Sequence, residues 1–250
     1  MIKAGIFSFY MNNIPPAAVQ KQRAVVEKFN KSGYEFFQLL TQLPHGISMD
    51  CAWHMNGVDV RPEFAGRIAK KYDFDVMVFL DIDAVPLNDK AIDLYVEQAY
   101  NGAIVGNIQR TNHIQNGQHT FVAPSAMAIS TSTFLTINKP SARETSRSDV
   151  GEEYTWLSEK KGIKVIKYMP LKFEAAPAEA PIGWALADGM PRYGLGTTFG
   201  DPVTGEETFW HNFQVRLQGQ PERFMNKCDQ LLNDGEINGQ QIDVQQHPST

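Results

Sequence analysis

The sequence predicts an α/β domain with a mostly parallel central sheet flanked by helices. Three observations carry this expectation. Residues 2–40 read as strand, helix, strand; residues 76–80 (VMVFL) form an unbroken apolar run; helix-like and strand-like segments then alternate to residue 168. A β-α-β opening joins parallel strands through a crossover helix. An apolar run without alternation is what a strand covered on both faces needs.

Residues 2–10 are rich in β-formers and end at the polar pair Asn12-Asn13. Pro15-Pro16 opens a helix, because proline is tolerated in the first turn, and Val19, Val25, Val26 and Phe29 recur among charges behind it. Residues 34–40 (YEFFQLL) read as the second strand, residues 43–57 as irregular, and residues 61–72 as a helix. The apolar run at 76–80 ends in Asp81-Ile82-Asp83, followed by a helix from about 89 to 100 and a short strand at 103–105 closed by Gly106-Asn107. A polar loop (109–118), a strand (121–130), a short helix (131–137) and a basic, turn-rich loop (139–148) come next. Residues 152–161 read as helix and 163–168 as strand. After Pro170 the pattern dissolves into Ala, Pro and Gly until Phe209-Trp210-His211; helical periodicity returns at 213–217 and 225–232. With no repeat and no convincing linker, one catalytic domain is expected over 1–232, with a polar tail at 233–250.

The chain has 250 residues, 42% hydrophobic and 20% charged, enough for a sizeable core. A net charge of -5 gives no general attraction to nucleic acid or anionic lipid. Two cysteines, Cys51 and Cys228, make no disulfide framework, so a reducing, cytoplasmic setting is expected. No segment reaches membrane-spanning length, and no membrane span is expected.

The chemistry gathers at Asp81-Ile82-Asp83. In open α/β sheets ligands collect outside the carboxyl ends of strands, where this motif falls. Two carboxylates separated by one apolar residue can flank a turn and face one ion. A hard cation such as Mn²⁺ or Mg²⁺ takes oxygen ligands and shares substrate phosphates. The plain alternative is that either aspartate caps the following helix.

The strand ending in D-x-D resembles the metal and donor site of GT-A nucleotide-sugar glycosyltransferases. The likeness runs loosely over residues 2–211 through several short matches in order. It implies a GT-A-like fold, a nucleotide-binding half over about 1–107 and an acceptor side over about 108–232. It also implies a nucleoside diphosphate sugar as donor, UDP-linked by preference. Tyr10 and Asn12, at the end of the first strand, would meet the nucleobase. Arg61 and Arg67 would steady the diphosphate with Asp81, since guanidinium matches phosphate oxygens. His211 would join Asp81 and Asp83 on the metal.

Glu152, Glu153 or Asp149, in that order, would be the catalytic base if the reaction inverts configuration, because the acceptor hydroxyl must lose a proton. Acidic residues there equally suit a helix start. His113 and His119 are further candidates for sugar contact. The acceptor is open: a glycan, a small molecule, a protein or a modified DNA base. Two rival functions use the same features, a metal-dependent nucleotidyltransferase and a non-catalytic carbohydrate-binding protein.

Overall fold

The computed structural model describes residues 1–41, 71, 73–111, 119–140, 142, 145–174, 183–185, 192–213 and 215–237. The chain opens with β1 (Ala4–Met11), α1 (Pro16–Phe29) and β2 (Glu35–Thr41), then reaches β3 (Val76–Asp81) and β4 (Ala84–Pro86). Next come α2 (Ala91–Tyr100), β5 (Ile104–Arg110), β6 (Thr120–Ser130), α3 (Thr131–Thr136), α4 (Glu152–Lys160) and β7 (Val165–Phe173). Four short strands follow, β8 (Gly183–Ala185), β9 (Arg192–Gly194), β10 (Thr197–Gly200) and β11 (Glu207–His211), before the helix α5 (Gln220–Ile237). The predicted helix at 61–72 lies outside the described residues apart from Lys71, which is helical.

Nine strands form one sheet in the order β2-β1-β3-β6-β5-β7-β10-β11-β4, and β8 pairs with β9 apart from it. The opening β-α-β unit is parallel as expected: β1 lies between β2 and β3, parallel to both. β5 and β7 are also parallel, while the five other pairings of the main sheet are antiparallel. The sheet is therefore mixed, with one parallel portion at the amino-terminal side and a second parallel pair, β5 and β7, in its middle.

β3 is buried on both faces. Val76, Val78 and Leu80 enter one apolar cluster, with Tyr95 and Val96 of α2. Met77 and Phe79 enter the opposite one, with Phe134 of α3 and Tyr154 of α4. A third cluster joins Ala18 and Val25 of α1, Phe224 and Cys228 of α5, and Val85 and Trp210 of the far strands.

Two predicted boundaries move for physical reasons. β5 does not stop at Gly106-Asn107 but runs to Arg110, with a register shift against β6 between Gly106 and Ile108. Gly106 is a site of close approach, not a turn: a Cβ there would come within 2.3 Å of the Ala126 carbonyl oxygen. β7 continues through Pro170, pairing with β10 beyond it. The helical periodicity read at 213–217 is turn in its described residues, and the last helix starts earlier and extends to Ile237, past the expected tail boundary.

Candidate metal centre and acidic segment

β3 delivers Asp81 at its carboxyl end, in register with Phe9 of β1. The chain then turns through Ile82 and Asp83 directly into β4, which follows β11 at the end of the strand order. Ile82, 2% exposed, enters the cluster of Val85, Trp210 and Phe224. Anchoring this middle side chain in apolar packing leaves the two flanking carboxylates to share another direction.

β4 pairs antiparallel with β11, placing His211 opposite Ala84. His211 Nε2 thereby lies 3.1 Å from Asp83 Oδ1 and 3.8 Å from Asp81 Oδ2. Ligand atoms of Asp81, Asp83 and His211 all fall within 4.8 Å of one another, and all three residues are buried. The three residues predicted to hold a metal thus converge, although His211 is 128 positions from Asp83.

Asp83 is held from several sides. Its Oδ2 accepts from the Val215 N–H at 3.0 Å, and its carbonyl accepts from the Asn212 N–H at 2.9 Å. The intervening Phe213 has φ 52°, a left-handed conformation a bulky side chain seldom adopts. Its ring lies against His211, with centroids 3.7 Å apart. Burial alone would raise the Asp83 carboxyl, but the His211 imidazole and the Val215 amide outweigh it and keep the group below its ordinary value.

The donor set fits a divalent cation. Two buried carboxylates this close repel each other unless a positive charge lies between them. Carboxylate oxygens suit Mg²⁺ and Mn²⁺, and the softer imidazole nitrogen sits better on Mn²⁺. His211 turns Nε2 toward both carboxylates, while its buried Nδ1 has no hydrogen-bond partner among the described residues. Phe213 and the Nε2 contacts therefore fix the ring.

The acidic segment is a second assembly. Gly151 is the N-cap of α4, with φ 78°, and a Cβ there would come within 2.9 Å of Pro124 Cδ. Glu152 is fully buried. Its Oε2 accepts from the Asp149 N–H at 2.6 Å and the Thr111 hydroxyl at 2.9 Å. Its Oε1 accepts from the Trp156 indole at 3.0 Å and shares a 2.5 Å hydrogen bond with His119 Nδ1. Burial pushes the carboxyl up, yet His119, the Asp149 N–H and Thr111 together hold it down at about 2.

Glu153 is gripped by Arg147, from Nε at 2.8 Å and Nη2 at 2.6 Å, and by the Ser148 hydroxyl at 2.9 Å. Arg147 is the largest influence lowering its carboxyl, against burial. Asp149 is half-buried and accepts from the Val150 N–H at 2.7 Å. The Tyr193 phenol is raised by burial, with a smaller contribution from the Asp149 charge. The Tyr193 ring in turn packs on Phe213, with centroids 5.8 Å apart.

Tyr10 and Asn12 lie at the carboxyl end of β1, beside Asp81; Tyr10 is partly buried against the third apolar cluster and Asn12 is exposed. Arg61, Arg67 and His113 fall outside the described residues. Sequence reasoning missed Gln22, whose buried amide donates to backbone carbonyls flanking the Asp81–Asp83 turn. The available signal was a polar residue on the apolar stripe of α1 formed by Ala18, Val25 and Val26. It also missed Thr111 as a Glu152 partner, and there no sequence signal exists.

No protein-family model and no curated protein matches the sequence. Among solved structures, the chain is similar to the catalytic domain of Drosophila beta1,4galactosyltransferase 7 in complex with xylobiose, at 12% identity, over 90% of this chain and 79% of that one, with a TM-score of 0.47. It is similar to a glycosyltransferase involved in glycosylation of the major capsid of PBCV-1, at 16% identity, over 55% of this chain and 63% of that one, with a TM-score of 0.37. The match thus spans less than two thirds of the capsid enzyme. A cytidylyltransferase from Leptospira borgpetersenii is matched at 17% identity, over 69% of this chain and 78% of that one, with a TM-score of 0.41.

Proposed function

We propose that this chain is a GT-A-type, metal-dependent glycosyltransferase. It moves a hexosyl or pentosyl group from a nucleoside diphosphate donor, a UDP-sugar first among candidates, to an acceptor hydroxyl. The observation supporting this reading is the convergence of Asp81, Asp83 and His211 within 4.8 Å at the end of a central strand. A bound Mn²⁺ or Mg²⁺ supplies Lewis-acid stabilisation of the diphosphate as it leaves. Asp81 and Asp83 would hold that ion through oxygen and His211 through Nε2, while the Val215 N–H keeps the second Asp83 oxygen oriented. Tyr10 and Asn12 take the nucleobase, and Arg61 and Arg67 the diphosphate.

Among the three acidic candidates the base role goes to Asp149. A carboxylate held near 2 by four donors, as Glu152 is, accepts a proton poorly at neutral pH. Glu153 is committed to Arg147 and Ser148. Asp149, half-buried and positioned by Glu152, takes the proton of the attacking hydroxyl. The donor half covers about 1–107, the acceptor side about 108–232, and the acceptor class is open. We place the protein in the cytoplasm, consistent with the free, buried Cys228; no helix among the described residues is long and apolar enough to cross a membrane.

The test is a panel of nucleotide sugars incubated with the protein in Mn²⁺, Mg²⁺ or EDTA, without acceptor. Release of free nucleoside diphosphate from one donor, abolished by EDTA, is expected. Release of pyrophosphate from a nucleoside triphosphate would point to nucleotidyl transfer instead.

A further inference from the structure

We propose that Gln22, through its side-chain amide, is the positioning residue of the turn that carries the two aspartates. The proposal rests on reading Asp81, Asp83 and His211 as a metal site. It adds a group from α1 to which neither the motif nor the ligand set points.

Gln22 is fully buried, on the same face of α1 as Ala18, Val25 and Val26. A polar side chain at such a position needs partners, and this one has a full set. Its Nε2 donates to the Asp81 carbonyl at 2.6 Å and the Ala84 carbonyl at 3.1 Å. Those carbonyls bracket Ile82 and Asp83, so one amide spans the turn from its first residue to the residue after its second aspartate. Its Oε1 accepts from the Ser8 hydroxyl at 3.0 Å and from Gln38 Nε2 at 2.9 Å. Both donors and both acceptor positions are thus used, which fixes the amide's orientation as well as its place. Gln38 is itself fixed by donating to the Val19 carbonyl at 2.9 Å.

The arrangement has a geometric purpose. The chain must pass from β3 to β4 in two residues while both aspartates aim at one point. Carbonyls left without donors in a buried turn would rotate to find them, turning Asp81 and Asp83 with them. The amide removes that freedom before any ligand arrives, and α1, braced through Val25 and Ala18, supplies the rigid support.

The test is Mn²⁺ titration, by electron paramagnetic resonance of the free ion, on the full chain well below its Tm. Wild type, Asp83→Ala, Gln22→Met and Val26→Ala are compared, the last perturbing the packing of the same helix in the apolar cluster that does not contain Ile82. Gln22→Met is expected to weaken Mn²⁺ binding about 10- to 100-fold, as loss of outer-sphere partners does, while Val26→Ala lowers Tm without changing affinity. Should Gln22→Met fail to fold, Ser8→Ala with Gln38→Leu unlatches the amide but keeps it, and a severalfold weaker affinity is expected. Wild-type affinity in the folded Gln22→Met or unlatched protein overturns the proposal. Absence of Mn²⁺ binding in wild type, or unchanged binding in Asp83→Ala, overturns the metal-site reading itself and the proposal with it, and is recognised as such.

Discussion

The Glu152 carboxylate collects four hydrogen bonds, from Thr111, His119, Asp149 and Trp156, and each stabilises its ionised form. With the folded group at about 2 and the ordinary value at 4.5, its stabilisation is fully present above about 4.5. It is lost as pH falls from there toward about 2, because the unfolded chain takes up the proton first. Glu152→Gln should therefore lower stability at neutral pH by roughly 1–3 kcal/mol, and the gap in Tm between variant and wild type should close across that acid range. A constant gap down to the lower end would contradict the assignment. At the neighbouring position, Asp149→Asn should reduce transfer to an acceptor by about 10²–10⁴-fold while leaving Mn²⁺ affinity intact; Glu153→Gln, which only loosens the Arg147 contact, should cost far less. Equal losses in steady-state kinetics would remove Asp149 from its role. These distinctions could not be drawn from the sequence. Asp149, Glu152 and Glu153 are equally acidic and nearly adjacent there, and what separates them comes from Thr111 and His119, 41 and 33 positions from Glu152.

At the scale of the element, β3 was legible because its burial on both faces writes itself as an apolar run, and the turn because it breaks that run with two aspartates. β11 was legible in part: Phe209-Trp210-His211 marks an ordered segment, but its pairing with β4 does not show. β4 is three residues long, too short for any periodicity. The end of β5 was misplaced for the opposite reason, since Gly106-Asn107 has the composition of a turn while Gly106 lies against the backbone of β6. The close approach makes a prediction. Gly106→Ala must push a methyl to within 2.3 Å of the Ala126 carbonyl oxygen and 2.9 Å of Met127 Cα, both backbone atoms unable to step aside without disturbing β6. A loss of about 1–3 kcal/mol or more is expected, read as a lowered Tm or denaturant midpoint. Wild-type stability would show that the crossing of β5 and β6 is looser than described.

The whole molecule brings residues from the second and last quarters of the chain to one place. The β-α-β opening sets Asp81 beside β1; the turn through Ile82 and Asp83 leads directly into β4; and β11, paired with β4, returns His211 to both aspartates. A fold that holds two carboxylates and an imidazole together in its interior should be stabilised by the ion that fits between them. A cation at 100 times its Kd contributes about 2.7 kcal/mol. Under the proposed function, this cation would, once bound, receive the diphosphate of a nucleotide. Calorimetric titration of UDP into the protein, with Mn²⁺ and with EDTA, for wild type and Asp83→Ala, tests it most directly. Saturable UDP binding by wild type only when Mn²⁺ is present, and none by the variant, is the predicted result; UDP binding that ignores both the metal and Asp83 would contradict it.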